Sequence, residues 1–295
     1  MNKLSIMGFG LAVMYLTACQ SGTKTEEKAA EEAPKAVSLV KKWETDTTLT
    51  TAESVYYDAT NSILYVACIG AVPPDAKDGD GFIAKVGLDG TITDTQWVTG
   101  LHAPKGMGMI GNLLYVTNID EVVEIDVNSG EITNTYKVEG SSFLNDITVD
   151  ASGNIYISDS NTNSIFVLAN GVASLWTQGD ALGGPNGLLV DNDQLLLATF
   201  GAGNLTTVSM ADKTVQMVVD SLPGGDGVVK LGDDFLVSNW NGEVYHISPE
   251  WVKTKILDTK DAGANAADIE IVAAQNLLLV PTFFGNQVVA YEVVK

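Results

Sequence analysis

The chain has 295 residues, with 16 basic side chains against 37 acidic ones and a formal net charge of −21. Every basic residue is a lysine, so the chain has neither the basic footprint that nucleic-acid phosphates require nor the planar arginine fork that grips phosphate and carboxylate. It has no glycine-rich phosphate loop of the nucleotide-binding type, and its two cysteines, Cys19 and Cys68, supply no disulfide framework.

In chain order, Lys3 and the short apolar run 4–16 read as an export signal, too short for a membrane span. The run ends in Leu16-Thr17-Ala18-Cys19, which resembles a bacterial lipobox. That resemblance implies a signal peptide over 1–18, cleavage before Cys19 and lipidation of its thiol. The protein is then expected in the bacterial cell envelope, lipid-anchored on a periplasmic or outer surface. Residues 19–36 are polar, charged and low in complexity, and read as a disordered tether.

From 37 onward one pattern recurs. Segments 104–116, 142–168, 185–197, 225–237 and 267–279 each carry short alternating apolar runs closed by Asn, Asp, Ser or Gly, and 52–66 is a divergent sixth copy. The residues heading each first strand are Glu53, Lys105, Asn145, Asn186, Asp226 and Asp268, at spacings of 52, 40, 41, 40 and 42. A period near forty with several strands per copy predicts an all-β, six-bladed β-propeller over 37–295. The last copy ends after its third strand, while 37–43 is a strand without inner partners. That strand is therefore expected to complete the last blade and close the ring. The insertion at 69–82, rich in Pro, Gly and Asp, is expected to rise beside the central opening as a lid. Asp78 and Asp80 within it hint at a calcium loop but lack the remaining positions of one, and the loop reads as solvated.

In a propeller the first strands line the axis, so the six head residues converge from remote parts of the chain. Glu53, Asn145, Asn186 and Asp226 offer two carboxylates and two amide carbonyls, a hard-oxygen set suited to Ca²⁺ or another divalent cation. Four protein ligands leave coordination places open for water or substrate. Asn and Asp also precede strands simply as turn formers, but Glu53 does not fit that account.

These four positions, Glu53 in Ala-Glu-Ser, Asn145 in Asn-Asp, Asn186 in Asn-Gly and Asp226 in Asp-Gly, resemble those of the senescence marker protein (regucalcin), gluconolactonase and luciferin-regenerating-enzyme family of six-bladed propellers, to which diisopropyl-fluorophosphatase is related. The resemblance implies a catalytic divalent cation held by the four, Asp226 as base or nucleophile, and a lactone or related ester as the small-molecule substrate. Sugar-lactone members often carry an arginine two residues before the third-blade asparagine. Here Phe143 stands in its place, which disfavours a sugar lactone.

Other candidates for the pocket are Lys105 and Asp268, read either as an ion pair, Lys105 with Asp268 or with Glu53, or as a cation offered to substrate. His102 is expected at the rim. A second ring at the ends of the second strands contains Cys68, Asn118, Asp159, Thr199, Asn239 and Pro281. Of these, Asn118, Asp159 and Asn239 are expected as pocket wall or partners of the ligands. Cys68 reads as a small buried hydrophobe and His246 as a packed or surface residue. Two histidines so placed assemble no Ser-His-Asp triad. The sequence thus leaves two functions open: a cation-dependent hydrolase of the lactonase or esterase type, or a non-catalytic propeller that binds a ligand or partner around a structural cation.

Overall fold

The computed structural model describes residues 36–295. The expected signal segment, the lipidated Cys19 and all of the expected tether but Ala36 lie outside them. Among the described residues no helix is long and apolar enough to cross a membrane.

Six four-stranded antiparallel sheets form the blades of a six-bladed β-propeller. The innermost strands are Ala52–Asp58, Pro104–Ile110, Leu144–Val149, Pro185–Asp191, Gly225–Leu231 and the short Glu270–Val272. The N-terminal strand Ser38–Glu44 pairs with Val288–Val294 as the outer edge of blade 6, with Ser38 opposite Val294 and Glu44 opposite Val289. The closure expected from the sequence is the one observed. Blades 6 and 1 are joined on the inside as well, where Asp268 N–H donates to the Glu53 carbonyl and Phe283 N–H to that of Ala52.

The second strands read as apolar runs because both of their faces are covered. In Ile63–Cys68, Leu64 and Val66 pack towards blade 6 while Tyr65 and Ala67 pack towards blade 2. Each of the six interfaces between neighbouring blades holds such a cluster, so the core is a ring of packed seams around the axis. The fourth strands are half exposed, as in Val172–Gln178, and form the outer wall. Cys68 is fully buried, and burial drives its thiol pKa far up, so it is an inert core residue.

Candidate functional site

The site is made by a repeated defect in the innermost strands. Pro104 pairs with Asn118 and Met107 with Val116, so Lys105 and Gly106 together oppose the single residue Thr117. The same bulge puts Asn145-Asp146 opposite Ser158, Asn186-Gly187 opposite Ala198 and Asp226-Gly227 opposite Ser238. In blade 1 the extra residue is Glu53, between the pairs Ala52–Cys68 and Ser54–Ala67. A bulge turns one side chain out of the strand's alternation. Here it turns Glu53, Lys105, Asn145, Asn186 and Asp226 into one cavity of about 430 Å³.

Hydroxyl groups lock the bulges to one another. Thr117 Oγ1 donates to the Asn145 carbonyl (2.5 Å), Ser158 Oγ to that of Asn186 (2.7 Å) and Ser238 Oγ to that of Ala267 (2.7 Å). Each thus ties one blade to the head residue of the next. The pattern identifies Ala267, not Asp268, as the head of blade 6. Ala267 is fully buried in the apolar cluster under the mouth. Asp268 belongs one residue lower, bridged to Ser54, and lines a second cavity of about 420 Å³ at the other side of the ring. A one-residue register slip moves a side chain to the opposite face, and this removes Asp268 from the expected pocket.

That lower level consists of Ser54, Gly106, Asp146, Gly187, Gly227 and Asp268. A Cβ on Gly187 would collide with the Asp226 carbonyl, and one on Gly227 with the Ile269 amide. The glycines of the Asn-Gly and Asp-Gly pairs therefore serve close strand approach rather than a turn. Asp146 and Asp268 fill the remaining space. Asp268 accepts from Ser54 Oγ (2.7 Å), and Asp146 accepts from the amides of Ile147 and Leu188 (both 2.6 Å).

Electrostatics follow from burial. Glu53, Asn145, Asn186 and Asp226 are 2–6% exposed. Desolvation first, then the charge of Asp268, pushes Glu53 up to about 8, against a smaller opposing pull from Lys105. Asp226 is raised well above the usual carboxylate range by burial and then by Glu53 and Asp268. Burial lowers Lys105 to about 8, opposed by Glu53 and Asp75. Asp268 rises to about 7, chiefly through burial. Glu53 Oε2, Asn186 Oδ1 and Asp226 Oδ1 are buried acceptors with no hydrogen-bond partner. Buried polar atoms are normally satisfied, so three orphaned acceptors in one cavity call for a donor or a cation. Together with Asn145 they fit a hard divalent ion. Among the described residues no group of three His, Cys, Asp or Glu side chains gathers to hold a metal, and this set of two acids and two amides stands as the candidate.

Lys105 forms neither of the expected ion pairs. Its ammonium donates to the carbonyls of Pro74 (3.0 Å) and Ala103 (3.1 Å) and lies 4.4 Å from the Phe143 ring centre. It therefore fastens the 69–82 insertion over the cavity, where Ile69, Val72 and Pro74 form part of the wall. Lys77, which pairs with Asp120, ties the same insertion to blade 2.

The second ring does not line this cavity. Asn118 Oδ1 accepts from the amides of His102 and Ala103, and its Nδ2 donates to Glu121. Asp159 accepts from the amides of Ser142, Phe143, Asn161 and Thr162, and so fixes Phe143 at the cavity wall rather than serving as an acid or base. Asn239 is bonded twice to Glu243. These side chains point along their hairpins because the turns and incoming loops need acceptors there. His102 is also absent from the cavity wall, although its Nδ1 is buried and unpartnered. What does line the cavity sits one position further on: Ile69, Ser160, Phe200 and Trp240 each follow a second-ring residue, and Phe283 and Phe284 complete the wall from blade 6. The same repeat carried this signal, displaced by one residue.

Bulged inner strands around a polar-floored cavity define the class, a six-bladed β-propeller with a small-molecule-sized site on its axis. No family model and no curated protein matches the chain. Solved structures do. One is a catalytically inactive histidine-to-alanine variant of virginiamycin B lyase from Staphylococcus aureus, solved with quinupristin, at 12% identity and a TM-score of 0.61 over 88% of this chain and 99% of that one. Another is a streptogramin B lyase at 10% identity and a TM-score of 0.63, over 88% of this chain and 98% of that one. At this identity the likeness is one of fold.

Proposed function

We propose that the propeller is a cation-dependent hydrolase that opens a lactone or ester at the head of the channel, with Glu53, Asn145, Asn186 and Asp226 as the cation's ligands. The observation that carries the reading is the convergence of the orphaned oxygens of Glu53, Asn186 and Asp226 on one buried volume. A bound divalent cation such as Ca²⁺ supplies Lewis acidity, polarising the acyl carbonyl and stabilising the oxyanion.

The chain's own groups do the rest. Asp226, with one carboxylate oxygen on the cation, takes a proton from the attacking water on the other. The water oxygen bonds to the acyl carbon, the acyl C–O bond breaks, and the proton passes to the departing alkoxide. Lys105 holds the insertion down and keeps bulk water out. The solved neighbour that binds quinupristin supports a small molecule as the ligand of this kind of ring. In that neighbour a histidine substitution abolishes activity, whereas no histidine lines the cavity here, which favours hydrolysis by a carboxylate over transfer of the lyase reaction.

A panel of lactones and aryl esters tests the proposal. Turnover should vanish with chelator and fall by at least ~10²-fold in Asp226→Asn, and the product should carry the elements of water. A product mass equal to that of the substrate would mean elimination. Silence across the panel, with ligand binding intact in Asp226→Asn, would leave the binding propeller as the answer.

A further inference from the structure

Above its oxygen floor the cavity is almost wholly apolar, and its outer rim is aromatic. Trp240, Phe283 and Phe284 pack edge to face on one another, with ring centres 4.9–5.7 Å apart and interplanar angles of 74–89°. Phe200 stands beside them, 46% exposed, and Phe284 is 56% exposed. Large apolar rings held in water at the mouth of a cavity mark a recognition surface.

The backbone is bent to present these rings. Phe283 has φ 46°, a left-handed conformation that bulky residues avoid. It is held there by the hydrogen bond its N–H donates to the Ala52 carbonyl and by the turn in which Asn286 N–H donates to the Phe283 carbonyl. Strain of this kind, fixed by surrounding bonds, is typical of ligand clamps.

Polar groups able to greet a hydroxylated substrate are few. Above the floor the polar residues are Lys105, Ser160 and Asn161; the Ser160 hydroxyl is already given to the Pro185 carbonyl at 2.8 Å and the Lys105 ammonium to the carbonyls of Pro74 and Ala103. Those hydroxyls of a sugar-like ligand that stand above the floor would be buried against apolar wall, at a penalty that disfavours it. An anionic ligand would meet Glu53 and Asp226 and a chain with no arginine and a net charge of −21.

We propose that the site takes an uncharged lactone or ester bearing an aryl or fused-ring group, the carbonyl lying on the oxygen floor and the ring against Trp240, Phe284 and Phe200. The ester bond in this statement rests on the hydrolase reading; the aromatic recognition does not. The 430 Å³ of the cavity is within the range that holds such ligands.

The test uses the purified propeller with calcium, a phenyl-substituted γ-lactone against gluconolactone, and the corresponding non-hydrolysable lactams. The phenyl lactone should show a kcat/KM about tenfold to hundredfold above that of gluconolactone. Phe284→Ala and Phe200→Ala, both at exposed rings, should erase most of that preference through KM while the calcium titration stays unchanged. Equal or better turnover of gluconolactone, or an aryl preference untouched by both substitutions, would overturn the proposal. If neither lactone turns over, lactam binding decides, read by quenching of tryptophan fluorescence. Saturable quenching by the phenyl lactam, lost in Phe284→Ala, keeps the aromatic assignment and removes hydrolysis. No quenching by the phenyl lactam ends the assignment.

Discussion

Glu53→Gln should make the calcium-free protein more stable and abolish its response to calcium. Burial lifts Glu53 from an ordinary 4.5 to about 8. A carboxyl whose pKa is raised on folding gives its full stabilisation below 4.5 and loses it as the pH climbs through 8. At pH 7 the folded chain keeps a proton that the unfolded chain has released, and the 2.5-unit gap is worth about 3 kcal/mol against the fold. The substitution removes that penalty but adds amide N–H donors to the cavity, so the net gain should be about 1–3 kcal/mol. For a chain of this size that is a rise in Tm of about 2–10 °C. Thermal unfolding at pH 7 in chelator and in millimolar calcium provides the assay. Wild type should gain stability with calcium and the variant should not. A variant that melts lower than wild type in chelator, or that keeps the full calcium shift, would refute the reasoning.

Three further outcomes are expected. Glu270, on the second cavity, is raised by burial to about 7, so Glu270→Gln should stabilise the protein at pH 8 by up to about 3 kcal/mol and hardly at all at pH 4.5, with calcium affinity unchanged. Ser158→Ala leaves the buried Asn186 carbonyl without its donor and should cost about 1–3 kcal/mol in urea unfolding, together with weaker calcium binding. Val288→Pro would remove the amide that donates to Thr45 Oγ1 just past the end of the Ser38–Glu44 strand. It should loosen the Ser38–Glu44 strand, seen as faster amide exchange across that strand before the other blades open.

The ring, its blade number and its closing strand were legible because each is written in the period of the sequence. So was the gathering of Glu53, Asn145, Asn186 and Asp226 in one cavity, since blades 1 to 5 carry the same bulge and these residues occupy its turned-out position. Blade 6 broke the pattern. Its inner strand has only Glu270–Val272 in regular pairing, and with no Asn-Gly or Asp-Gly pair to fix the register, Asp268 took a place that belongs to Ala267. Asn118, Asp159 and Asn239 occupied equivalent positions too, but equivalence does not report direction. Each acceptor was claimed by its own hairpin. The aromatic rim escaped notice because Phe200, Trp240 and Phe284 come from different blades and look in sequence like ordinary core residues.

Pairing Ser38 with Val294 has a further consequence, for the order of events during synthesis. Of the propeller's strands, the one made first is paired with the one made last. Blades 1 to 5 can each collapse as they appear, but the seam between the sixth and the first stays unsealed until Val288–Val294 has been made. The axial site, which draws on blades 1 to 5 and on rings from blade 6, can exist only once the sixth blade is in place.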